Sequence, residues 1–198
     1  MVLPADDPSC RRRRRHLCLL PPPSTPPIDP TLSELPEDPV LLERRRTLAV
    51  AGGYRLTSHD PREDRVTLVG VAAILPEVLA AAQALGRYGV RAGVVCLTSP
   101  DLGFRSFQRP GRVAADTSGD AGGDIVEALF PRLHAAPLVT VLDGHPHTLA
   151  FLAGVRGDPV RCLGVSEFGQ SSNLEAAYRL QGIDAQSVVD AALGLVGR

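Results

Sequence analysis

The chain has 198 residues, enough for one domain of ordinary size plus a tail. Its net charge of −1 gives no bulk electrostatic pull toward nucleic acid or an acidic membrane. All 21 basic residues are Arg, which excludes a Schiff-base Lys, a P-loop Lys and a Lys general base. Composition then divides the chain. Ten of its 18 prolines fall in residues 1–40, and all eight aromatics fall after residue 53.

Residues 1–47 read as a Pro/Arg-rich tail or linker, largely disordered. They hold the run Arg11 to Arg15, a short HLCLL, and the prolines Pro21, Pro22, Pro23, Pro26 and Pro27. Proline fixes φ and removes a donor, so neither a helix nor a central strand is expected over residues 1–40. The Arg run invites a nucleic-acid reading. Against it, residues 1–46 carry eight Arg against seven Asp or Glu, with no aromatics between them. HLCLL is too short for a signal-peptide core, and no apolar run approaches the ~18–20 residues of a membrane span. Cys10, Cys18, Cys96 and Cys162 form no CxxC pair. Cys96 and Cys162 sit in apolar runs, where free thiols are usual, so a reducing, cytoplasmic location is expected.

A short helical stretch from about Asp38 is expected to close at Arg44, Arg45 and Arg46, with Gly52-Gly53 as a turn. From there an α/β rhythm sets in. VTLVGVA (Val66 to Ala72) reads as a buried strand. EVLAAAQALGRYG follows as a helix with Pro76 in its first turn and Gly86 or Gly89 at its end. VRAGVVCL (Val90 to Leu97) is the second strand, and T-S-P-D opens a short helix near Leu102 to Phe107. Residues 109–123 form a Gly/Ala/Asp-rich loop. Gly122-Gly123 leads into DIVEALFPRLHA, which Pro131 kinks or ends. LVTVLD (Leu138 to Asp143) is the third strand, and Pro146 starts the next helix. VRCLGV (Val160 to Val165) is the fourth. Helices follow from Leu174 to Leu180 and from Asp184, a good N-cap residue. Apolar strands alternating with helices define a three-layer α/β domain over 48–198, with a mostly parallel sheet of four to five strands.

Ligand sites in such sheets lie at the carboxyl ends of the strands. Three loops qualify: Thr98 to Asp101, Asp143 to His147, and Ser166 to Ser172. His145 and His147 have the spacing of a metal or acid–base pair, with Asp143 or Glu167 as further ligands. The plainer role is structural, with His147 capping a helix and His145 facing a partner. Neither G-x-S-x-G nor G-x-G-x-x-G occurs, which argues against a serine hydrolase and a dinucleotide fold.

Four segments carry a family resemblance. G-G-Y-R-L, V-T-L-V-G-V-A-A-I-L-P-E-V-L-A-A, V-R-A-G-V-V-C-L-T-S-P-D-L-G-F-R and L-G-V-S-E-F-G-Q-S-S-N-L-E-A-A-Y-R-L-Q-G-I-D-A-Q resemble, in this order, the C-terminal domain of transketolase-like thiamine-diphosphate enzymes. The nearest flavour is the homodimeric decarboxylating component of the pyruvate dehydrogenase complex. The resemblance covers about residues 48–198. It implies that Asp143, His145, His147, Glu167, Phe168, Gly169, Gln170 and Ser171 are loop contacts, with Phe168 anchoring a turn and Ser171 or Ser172 capping a helix. In that family, thiamine diphosphate and Mg²⁺ bind between other domains. The G-D-G…N-N motif that holds them is missing here, where Asn173 is the one Asn. The implied chain is a truncated or split member with no catalytic, cofactor or metal residues of its own. It would dock onto the missing cofactor-binding domains or subunits, in a parent enzyme that is a homodimer. The alternative is a freestanding α/β module that binds a small acid or a protein partner through the strand-end loops.

Overall fold

Residues that are apolar on both sides of a strand need cover on both faces of the sheet. The computed structural model, which describes residues 37–56, 60–108, 125–131, 136–167 and 172–197, provides that cover. Helix α1 (Pro39–Ala51) leads into β1 (Gly53–Arg55). A 3₁₀ turn (Pro61–Glu63) precedes β2 (Val66–Val71), and α2 (Leu75–Arg87) and β3 (Ala92–Leu97) follow. Then come α3 (Pro100–Gln108), α4 (Ile125–Leu129) and β4 (Leu138–Val141). A 3₁₀ segment (Pro146–Leu152) runs into α5 (Ala153–Arg156), followed by β5 (Val160–Leu163), α6 (Leu174–Gln181) and α7 (Ala185–Val196).

The five-stranded sheet has the order β1-β3-β2-β4-β5. Strands β2 to β5 are parallel, and β1 lies antiparallel to β3 at the edge, with Gly53 opposite Leu97 and Arg55 opposite Val95. Successive side chains go to opposite faces. Leu68, Val94 and Val139 meet α2 and α7 through Val78, Ala81, Leu85, Val188 and Ala192. Val69, Val95 and Leu138 meet Ile125, Leu129, Leu149 and Leu152 on the other face. This is the expected three-layer α/β domain with its mostly parallel sheet.

Several local expectations change. The helix from Asp38 does not close at Arg46; it runs to Ala51, because Leu48 and Ala51 pack on the second core and continue the helical face. Residues 47 and 48, where the tail was expected to give way to the domain, both lie in this helix. Gly52 closes α1 with φ +129°, and Gly53 already belongs to β1, so only half of the expected turn is a turn. The helix after Gly123 occupies Ile125–Leu129 and ends before Pro131, which cannot donate to continue it. The fourth expected strand stops at Leu163, two residues early, where the chain turns toward the β4 loop. The tail before residue 37, with Arg11 to Arg15, and the loop 109–123 lie outside the described residues.

Strand β1 is short and carries a charge, yet it is pinned. Arg55 pairs with Asp64, and the two side chains retain 12% and 2% of their exposure. Arg55 also donates Nη1 to the Leu129 carbonyl at 3.0 Å. Thr67 Oγ1 donates to Asp64 at 3.3 Å. One buried pair therefore joins the edge strand, the entry to β2 and the end of α4. Its room comes from Gly93 of β3. A Cβ there would land on the Asp64 carboxylate and the Arg55 guanidinium. Arg156 reinforces the same corner, donating to the Phe130 carbonyl and to Glu127 at 2.9 Å. Two cations thus sit at the carbonyl end of α4, where the helix dipole favours them.

Two consequences are measurable by urea unfolding of the full chain. Asp64→Ala strands a buried guanidinium and should cost roughly 3–5 kcal/mol, whereas replacing both partners with apolar residues should cost clearly less. Gly93→Ala should destabilise by about 1–3 kcal/mol through overpacking against the pair. Equal costs for Asp64→Ala and the double replacement would show that the pair is not the anchor.

Candidate functional site at the strand ends

The sheet order places the carboxyl ends of β4 and β5 side by side, while β3 ends two strands away. The three expected loops therefore do not form one cluster. The loop after β3 is used up by local structure. Thr98 Oγ1 donates to the Ala49 carbonyl at 2.5 Å, and the Thr98 and Ser99 amides donate to the Gly52 carbonyl. Ser99 Oγ accepts from the Leu102 amide at 3.3 Å, and Asp101 pairs with Arg105 at 3.1 Å. The polar groups named there tie the end of β3 to α1, cap α3 or pair within it.

The other two loops pack together. Val165 N–H donates to the Gly144 carbonyl at 2.9 Å. Gly164 permits this approach, since a Cβ there would meet the Gly144 carbonyl oxygen at 2.5 Å and Pro146 Cδ at 2.9 Å. Asp143, His145, His147 and Glu167 are all exposed beside this junction. His145, not His147, caps the 3₁₀ segment: its Nδ1 accepts from the His147 amide at 3.3 Å. The reason is position. A capping side chain must precede the first free amide, and His147 is already within the turn. The rings meet edge to face, with centroids 4.7 Å apart. This bond commits His145 Nδ1 as an acceptor for the His147 amide, while the His147 ring only packs against it. Among the described residues, no three His, Cys, Asp or Glu side chains gather as metal ligands do.

Glu167 contributes its backbone: Gln181 Nε2 donates to the Glu167 carbonyl at 3.4 Å. Phe168, Gly169, Gln170 and Ser171 lie outside the described residues. Helix α6 is capped by Asn173, whose Oδ1 accepts from the Ala176 amide at 2.8 Å, so Ser172 does not have the capping role expected of it. Asn173 sits immediately before the first turn and has the right reach. Asp184 stands at the N-cap of α7, but its carboxylate accepts from Ser187 Oγ; the Ala185 amide is taken by Glu77 Oε2 of α2 at 2.9 Å. Asp184 thus holds the expected N-cap position without a side-chain bond to the helix amides, and a tertiary contact satisfies the first of them.

Between these loops and α6 lies a groove of about 160 Å³, lined by Asp143, Val165, Ala177, Tyr178, Leu180, Gln181 and Ile183. Sequence reasoning reached Asp143 and missed the rest. Ala177, Tyr178 and Gln181 share one helical face, which was the available signal. Burial first, then the carboxylates of Asp143 and Glu77, push the Tyr178 phenol above its ordinary value. Elsewhere, burial raises the Tyr54 phenol and the Cys96 thiol, which face each other; Arg45 lies over the Tyr54 ring at 5.5 Å. Cys96 and Cys162 are both free thiols, buried and half-buried in turn.

The fold is an α/β sheet domain whose strand-end polar groups are largely committed to capping and packing. Residues 52–184 match the model of the transketolase-like TK C-terminal domain, and the chain belongs to that family. Solved structures agree on the fold. Transketolase from Leishmania mexicana is similar with a TM-score of 0.53 and 21% identity over 76% of this chain and 19% of that one. A transketolase from Pichia stipitis gives 0.52 and 18%, over 75% and 18%. A split-gene transketolase, an inactive β4 tetramer, gives 0.50 and 22%, over 74% and 43%. The chain thus spans under a fifth of the length of the Leishmania and Pichia proteins. No curated protein sequence matches it. Among the described residues, no helix is long and apolar enough to cross a membrane.

The raised phenols have a sign that can be tested. The folded state holds the Tyr54 and Tyr178 protons more tightly than the unfolded chain, whose phenols titrate near pH ~10. Their contribution to stability is therefore present below that pH and is lost as pH rises through the folded values. The urea midpoint should fall on the alkaline side, and Tyr178→Phe should lessen the fall. Phenolate absorbance should show Tyr54 and Tyr178 titrating above free tyrosine. An ordinary titration of all three tyrosines would contradict this.

Proposed function

We propose that this chain works as the docking domain of a thiamine-diphosphate enzyme and performs no chemistry alone. The observation that carries the reading is the match of residues 52–184 to a C-terminal domain, combined with a surface suited to contact. Val40, Leu41 and Val50 of α1 are 74%, 51% and 79% exposed. The end of α1 abuts α3, where Leu102 and Phe104 are also exposed. Scattered apolar residues are ordinary on a surface, but Val50 at the end of α1 together with Leu102 and Phe104 of the abutting α3 supports a covered face there. The cofactor-binding domains or subunits of the same enzyme are the partner. Thiamine diphosphate and Mg²⁺ belong to them.

Within the family, the E-F-G-Q-S-S segment at Glu167 to Ser172 and the T-S-P-D step favour kinship with the homodimeric decarboxylating component of the pyruvate dehydrogenase complex. The parent assembly is then a dimer, and its setting the cytoplasm, in keeping with the free thiols of Cys96 and Cys162. The split-gene transketolase that forms an inactive β4 tetramer supports a related behaviour, in which one piece of such an enzyme self-associates without turnover.

Sedimentation of the full chain should show dimers or larger species that bind a hydrophobic dye, and Val50→Asp should shift them toward monomer. Calorimetry with thiamine diphosphate and Mg²⁺ should give no saturable heat. A dye-negative monomer would overturn the docking role; saturable cofactor binding would overturn the division of labour.

A further inference from the structure

The groove beside α6 has a chemistry that the docking role does not use. Its floor is Ile183, 1% exposed, and its walls are Val165, Ala177 and the half-open Leu180. The polar groups at its mouth are few. Gln181 is engaged with the Glu167 carbonyl. Asp143 presents a carboxylate, and Tyr178 a phenol. Behind the phenol stands Glu77, itself bonded to the Ala185 amide. Among the described residues that line the groove there is no Arg. Asp143 and Glu77 therefore give the described lining a negative field; burial first, then these same carboxylates, raise the Tyr178 phenol. A small acid, the ligand the loops first suggested, would meet the Asp143 carboxylate without a counter-charge.

Size narrows the occupant further. A cavity of about 150 Å³ with apolar walls holds a benzene ring. The groove has a similar volume but is open to solvent on one side, and it lies at the carboxyl ends of two parallel strands, where ligands of α/β sheets settle. We propose that it is a binding site for a small organic cation, an amine or guanidine on an apolar body of roughly benzene size. The body covers Ile183, Val165 and Ala177, and the charged head faces Asp143 and the Tyr178 oxygen. The proposal stands apart from the docking surface on α1 and α3, so either can fail alone.

Three probes of one shape separate charge from burial: benzylamine, benzyl alcohol and benzoate, each titrated into the full chain and followed by amide shifts. Benzylamine should saturate and shift residues 143–144, 165 and 177–183. Benzyl alcohol should bind about tenfold more weakly and benzoate not at all. Asp143→Asn, at an exposed side chain, should weaken benzylamine about tenfold, some 1.4 kcal/mol, and leave benzyl alcohol unchanged. Ala177→Leu should abolish binding of both by filling the groove. Added salt should weaken benzylamine and spare the alcohol. Benzoate binding as tightly as benzylamine, no saturation by benzylamine in the millimolar range, or shifts centred elsewhere would each overturn the proposal.

Discussion

The buried pair of Arg55 and Asp64 is the contact on which the edge of this domain depends. A three-residue strand of Gly, Tyr and Arg has little reason to join a sheet by itself. Its backbone gains only three register positions against β3. The guanidinium supplies the remainder by reaching both Asp64 at the entry to β2 and the carbonyl end of α4. Burying two charges is expensive unless they find each other, so the geometry must be kept once adopted. Gly93 keeps it by leaving a side-chain-free slot in the neighbouring strand. Tyr54 adds a second tie, with Arg45 of α1 over its ring and Cys96 of β3 at its phenol. Helix α1 is thereby held to the sheet it leads into, and the exposed apolar residues of that helix gain a fixed position.

At the opposite side of the sheet, the same economy of polar groups shapes the strand ends. His145 caps its own segment, Asn173 caps α6, and Glu77 reaches across from α2 to serve α7. These groups satisfy backbone amides that a helix start leaves free. Such capping commits several of the polar groups at the strand ends. Asp143 is an exception. It stands exposed at a groove whose walls are mostly apolar.

Much of the architecture was legible in one dimension. VTLVGV, AGVVCL and LVTV are apolar throughout because both faces are covered, and their spacing by helices specified a parallel sheet. Pro76 and Pro146 marked element starts, since proline fits where an amide needs no partner. The strand-end motifs were sufficient to suggest the family. The misread residues share another feature: their roles depend on neighbours distant in sequence. Asp184 takes the N-cap position that the sequence suggested, but its carboxylate goes to Ser187 Oγ, and the first amide of α7 donates to Glu77, more than a hundred residues away. Gly53 looked like half of a turn until β3 offered it a partner in Leu97.

The sequence by itself determined the α/β class, the two-sided burial of the central strands and the kinship of the domain, because these rest on local periodicity and on contiguous motifs. Tertiary structure alone decided three things: that an edge strand joins antiparallel, that Arg55 finds Asp64 under Gly93, and that Tyr178 and Ile183 meet Asp143 across a groove. Each is a contact between segments with no shared pattern. Hydrophobic period reports which face of an element is buried. Only the order β1-β3-β2-β4-β5 reports which side chains that burial brings together.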